Sequence, residues 1–128
     1  MIKMYYKSDA HKKIFEYRTI RNPYKCTNEY LAAVYLLSSE KSLWRLSKGF
    51  ISLNDISFEF GLKGITEDGY SIYKFAKSIY ECFSVENLLE FYDKRIISEK
   101  NFEVIITALR ICRHGLPYTG LKKNYLAQ

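Results

Sequence analysis

Residues 66–83 read TEDGYSIYKFAKSIYECF, and their spacing decides the fold. Ile72, Phe75, Ala76, Ile79, Tyr80 and Phe83 recur three and four positions apart, which is the repeat of one helix face; a strand would alternate. Thr66 offers a hydroxyl to cap that helix, and Glu67 and Asp68 follow in the first turn, where the helix dipole favours acids. So wide an apolar face has to be covered by other elements.

The segment just upstream, FISLNDISFEFGLKG (50–64), breaks the helical repeat. There Ile56, Phe58 and Phe60 alternate with Ser57 and Glu59, which predicts a half-buried strand, with an irregular connection as the alternative. Before it, SEKSLWRLSKG (39–49) reads as a short helix capped by Ser38 or Ser39 and ended by Gly49, with Leu43, Trp44 and Leu46 available for packing. EYLAAVYLL (29–37), capped by Thr27, is apolar almost all round and so belongs in the centre of the molecule. RNPYKC (21–26) separates it from an earlier short helix capped by Ser8, because Pro23 disfavours helical geometry at Asn22. MIKMYY (1–6) reads as an extended lead-in or edge strand.

Downstream, Ser84 begins a shorter helical segment through VENLLEFYDKR (85–95). Ser98 caps a last long helix in which Phe102, Ile105, Ile106, Leu109 and Cys112 recur, and Gly115 and Pro117 stop it. Arg110, Arg113 and His114 fall in its final turns, where cations complement the unpaired carbonyls. The fold class predicted is mainly α. It is a compact single-domain bundle of five to six helices over residues 1–128, with a short β element around residues 50–60 and 2–6. The tail 116–128 carries Leu116, Tyr118, Leu121, Tyr125 and Leu126, too apolar for a solvated tail, and is expected to dock, either on its own domain or on a partner.

The charge is lopsided. Of the 20 Lys/Arg and 14 Asp/Glu, residues 1–25 hold seven bases against two acids, residues 110–128 hold four against none, and the middle of the chain is net acidic. Two basic ends that met in the fold would make one positive face for phosphates or for an acidic protein. Cys26, Cys82 and Cys112 are odd in number, far apart and without a C-x-x-C pair, so they predict cytosolic thiols rather than disulfides or a zinc knuckle. No apolar run reaches the roughly 18 residues of a membrane span, and the first residues lack a secretory apolar stretch. The expected location is the cytoplasm.

Chemistry is sparsely signalled. His11 and His114 lie near opposite ends, and neither Asp9 with His11 nor Cys112 with His114 has the spacing that puts two ligands on one helix face. The acids Glu81, Glu86, Glu90 and Asp93 are scattered as on a solvated face, and GLKG lacks the length and the closing Lys-Ser/Thr of a phosphate loop. The residues therefore predict no catalytic group, no cofactor and no metal. SLNDISFEFGLKGITEDGYSIYKFA can be laid over a helix-turn-helix, but Glu67 and Asp68 would stand where DNA phosphates must be met. Basic ends interleaved with Tyr6, Tyr17, Tyr24, Tyr118 and Tyr125 could instead stack on single strands. As anchors for a partner, residue type and position single out Trp44, Arg45, Tyr118, Lys122, Lys123 and Tyr125. Core packing competes for Trp44.

YYKSDAHKKIFEY (5–17), EYLAAVYLLSSEKSLWR (29–45), YSIYKFAKSIYE (70–81) and EKNFEVIITALRICRHG (99–115) together resemble, in order and spacing, a loose group of small helical proteins of unknown function. These occur in Gram-positive bacteria, their prophages and toxin-associated loci. The resemblance implies a helical fold in a mobile-element or inter-bacterial-conflict setting, and brings no catalytic residue. The functional expectation is a non-enzymatic, phage- or prophage-encoded protein that binds and blocks a macromolecular partner, a protein first, as an anti-defence inhibitor or toxin-immunity protein does. The alternative is a nucleic-acid binder using the basic N- and C-terminal segments.

Overall fold

The computed structural model describes residues 4–81 and 93–123. The described part is mainly helical. In chain order it comprises α1 (Asp9–Ile20), α2 (Asn28–Leu37), α3 (Lys41–Ser47), a 3-10 turn (Lys48–Phe50), α4 (Glu67–Glu81), α5 (Glu99–His114) and α6 (Leu116–Thr119). The segment expected at 85–95 lies mostly outside the described residues, as do Cys82, Tyr125 and the first three positions.

Local chemistry starts most of these helices where the sequence suggests. The hydroxyls of Ser8, Thr27 and Ser98 each accept the backbone N–H three residues on, and Thr66 does the same for Gly69 at 2.9 Å. The third helix is a correction. Glu40, not Ser38 or Ser39, caps α3, its carboxylate accepting from the Ser42 N–H. The two serines bond backwards instead, Ser38 to the Val34 and Tyr35 carbonyls and Ser39 to that of Leu36, so they finish α2.

Every residue from Tyr30 to Leu37 is buried, and α2 runs through the centre with α4 and α5 packed along it. Each fully buried Leu or Val there contributes about 1.5–3 kcal/mol relative to exposure. Phe15 of α1, Leu43 of α3, Ile72, Phe75 and Ala76 of α4, and Val104, Ile105, Ala108 and Ile111 of α5 complete the core. Gly69 lets α4 start against α3, because a Cβ there would come within 3.0 Å of the Ser42 hydroxyl.

The expected strand is half right. Ile56, Phe58 and Phe60 are buried while Ser57 and Glu59 are exposed, so the alternation is real. Among the described residues, however, the segment pairs only through one antiparallel bridge, Ile51 with Ile56, and forms no sheet. The reason is its neighbour: the Phe58 and Phe60 rings lie against Tyr73 and, for Phe58, Tyr80 of α4, so a helix rather than a second strand covers it. Residues 4–6 likewise pair with no strand.

At the far end, Gly115 turns the chain with φ 74° and ψ −158°, and α6 opens with Pro117 in its first turn rather than ending there. Leu116, Tyr118 and Leu121 pack against the core.

Candidate functional site

Two polar constellations stand out, one inside and one on the surface. The inner one centres on His11, which is 1% exposed. Its Nδ1 faces the Lys7 backbone N–H at 3.0 Å and must accept, so the ring proton sits on Nε2, which donates to the Tyr35 carbonyl at 2.8 Å. Burial pushes the imidazole pKa down to about 4, the Lys7 charge adds to the drop, and the Tyr35 carbonyl opposes it. The rings of Tyr6 and Tyr35 close around it. Beside it Lys7 Nζ donates to Asn101 Oδ1 at 2.6 Å and lies 3.5 Å from Glu40 Oε2.

This knot holds the first described residues onto α2 and α5, and the Tyr35 hydroxyl adds a bond to the Tyr5 carbonyl. Both His11 nitrogens are spent on backbone groups, leaving neither lone pair nor proton for a substrate. Among the described residues no three His, Cys, Asp or Glu side chains gather to hold a metal ion. Tyr6, grouped by sequence with the stacking tyrosines, belongs to this interior.

The outer constellation is where the two basic ends meet. Lys123 Nζ donates to the Tyr24 carbonyl and lies 4.0 Å from Cys26 Sγ. Asn28, at the start of α2, donates to the Cys112 carbonyl at 3.0 Å in the last turn of α5. Those two links bring residues 24–28, with Lys25 and no acid, against residues 112–123, with Arg113, Lys122 and Lys123 and no acid. Asn22 secures the loop from below, its Nδ2 donating to the Leu53 carbonyl at 2.5 Å while its Oδ1 accepts from the Tyr24 N–H. Tyr30 donates to the Ser52 carbonyl at 2.5 Å. The Cys26 thiol pKa is pushed up by burial, which outweighs nearby Lys123, so the thiol stays protonated at neutral pH.

Aromatic rings on this face come with cations. Arg21 lies 4.8 Å over the ring of Tyr17, which is 60% exposed, and Arg18 lies 5.0 Å over Trp44. Tyr24 is 50% exposed, and the His114 and Tyr118 rings stack at 6.0 Å. Arg18, Arg21 at the α1 C-cap and Tyr24, whose carbonyl takes Lys123, follow one another in steps of three residues, a short track along the end of α1 and into the α1–α2 loop.

Of the side chains chosen from sequence, Trp44 takes Arg18 over its ring and Lys123 reaches Tyr24, while Tyr118 stacks on His114. Trp44 and Tyr118 are each half-buried, with one side on the core. Lys122 is exposed next to Lys123, and Arg45 is exposed beside the Gly64 turn. Tyr125 lies outside the described residues. Sequence reasoning passed over Arg18, Arg21, Asn22 and Asn28. The Tyr17–Arg21 spacing of four was the available signal for the first pair; nothing local announced the asparagines.

No helix among the described residues is long and apolar enough to cross a membrane. No family model, no curated protein and no solved structure matches this chain.

Proposed function

We propose that this chain is a non-enzymatic binding protein that engages and blocks an acidic macromolecular partner through the face joining Trp44, Arg18, Tyr17, Arg21, Tyr24 and Lys123. The supporting observation is the Lys123–Tyr24 contact, which brings the second basic segment to the loop that follows the first. Arginine and exposed aromatic rings are the residue types that anchor interfaces. The inner knot around His11 supports the same reading, since its titratable groups are consumed in holding the fold. The resemblance of the helices to small proteins of prophages and toxin-associated loci favours a phage-encoded inhibitor of the anti-defence or immunity type, working in the cytoplasm.

The test is quantitative affinity capture from a bacterial lysate with the full chain and with an Arg21→Glu/Lys123→Glu variant of equal thermal stability. A macromolecule retained by the first and lost by the second is expected. Retention unchanged by the charge reversal, or turnover of a small metabolite by the purified chain, would contradict the reading.

A further inference from the structure

We infer that the occupant of this face is a single-stranded nucleic acid, its bases stacked on the exposed tyrosines and its phosphates on the neighbouring cations. The inference rests on the binding reading above and adds the chemistry of the partner. A single strand repeats a flat ring and an anion; the face repeats a flat ring and a cation. Tyr17 has Arg21, Trp44 has Arg18, the loop at Tyr24 has Lys123, and Tyr118 stands with His114, Lys122 and Lys123 close in sequence. Base–aromatic stacking beside a backbone-tracking row of positive charge is how single strands are held without sequence readout.

A duplex would satisfy only the cations, because its bases are stacked on one another. An acidic peptide would likewise meet the charges, but its chain does not carry a flat ring at every repeat as a single strand does. Among the described acids nearest the track, Glu16 and Glu29 are half-buried, and the exposed Asp55 carboxylate accepts from the Tyr80 hydroxyl. The face needs both ends of the chain, so it exists only in the folded molecule. The helix-turn-helix overlay has no part in it, since Glu67 and Asp68 are exposed at the start of α4, on another element.

Fluorescence anisotropy with a labelled oligouridine of about 20 nucleotides, longer than a single-domain site, tests this. The full chain is expected to bind it more tightly than a blunt duplex of equal length, with log affinity falling linearly in log salt. Lys122→Ala/Lys123→Ala should reduce the salt slope by about 1.4, at about 0.7 per phosphate contact on a single strand. Tyr24→Ala, at an exposed ring, should weaken binding by about fivefold or more and leave the slope unchanged. Absence of binding at low salt, or equal binding to the duplex with no effect of Tyr24→Ala, would overturn the inference. If the oligonucleotide is refused while affinity capture still yields a protein lost on Arg21→Glu/Lys123→Glu, this inference fails and the broader reading stands. If both experiments are empty, both fall.

Discussion

The imidazole of His11 donates from Nε2 to the carbonyl of Tyr35 at 2.8 Å, so a single neutral ring ties α1 to the last turn of the central helix. Its other nitrogen accepts from Lys7 N–H, and a protonated ring would aim a second N–H at that donor.

The first prediction is an acid limb in stability. With the folded pKa near 4 against about 6.5 unfolded, the unfolded chain takes up the proton first as pH falls. Stability from this group is complete above pH 6.5 and is lost between there and pH 4, by up to about 3 kcal/mol. Urea melts from pH 7.5 to 4.5 measure it. His11→Leu should lower stability at pH 7.5 and flatten the slope across that range; an unchanged slope would remove His11 as its cause.

A second prediction concerns the neighbouring amide. Asn101 is fully buried, and its Nδ2 has no partner among the described residues while its Oδ1 takes Lys7 Nζ. Lys7→Met strands the oxygen as well and should cost about 1–3 kcal/mol, the penalty for an unsatisfied buried polar group. Adding Asn101→Leu removes the stranded amide, so the double variant should recover part of that loss in chemical denaturation. A double variant weaker than Lys7→Met would show that the amide contributes through bonds other than this one.

The third prediction is at Gly115. Its backbone, φ 74° with ψ −158°, lies in a region almost confined to glycine, and a Cβ would sit 2.7 Å from Asn28 Oδ1. Gly115→Ala should therefore destabilise by about 1–3 kcal/mol in thermal melts, whereas Gly49→Ala, with open space around it, should change little. Because Asn28 also bonds Cys112 at this junction, the same substitution should weaken partner binding. Equal stability of the two variants would refute the strain assigned to this turn.

A fourth follows from Tyr30, whose hydroxyl is buried against the Ser52 carbonyl and whose pKa is pushed up to about 12, chiefly by burial. The folded state keeps its proton longer than the unfolded one, so this stability is present below pH 10 and is lost as pH rises from 10 toward 12. Tyr30→Phe should cost about 1 kcal/mol at pH 7 and soften that alkaline limb, read by denaturant melts at pH 7 and 10.5. An unchanged alkaline slope would place its origin elsewhere.

What could be read from the residues alone follows the range of the interactions. Ser8, Thr27 and Ser98 were legible as caps because a cap is settled within four residues. Ser38 and Ser39 misled because a serine ending one helix and a serine starting the next look alike; only the position of Glu40 in space separates them. Phe58 and Phe60 displayed their alternation, yet whether a strand or α4 covers them depends on residues far along the chain. The two basic ends were visible as composition, and their meeting was not, since Lys123 and Tyr24 are 99 positions apart. Residue type pointed to Trp44 and Lys123; that Arg18 lies over Trp44 is set by how α1 packs beside α3.

That meeting carries the functional account, and cross-linking mass spectrometry on the monomeric full chain measures it most directly. A short lysine-reactive linker should join Lys25 to Lys123 or Lys122, because Lys123 Nζ rests on the residue before Lys25. Links from Lys122 and Lys123 that reach only other parts of the molecule, with Lys25 modified but never joined to them, would contradict it.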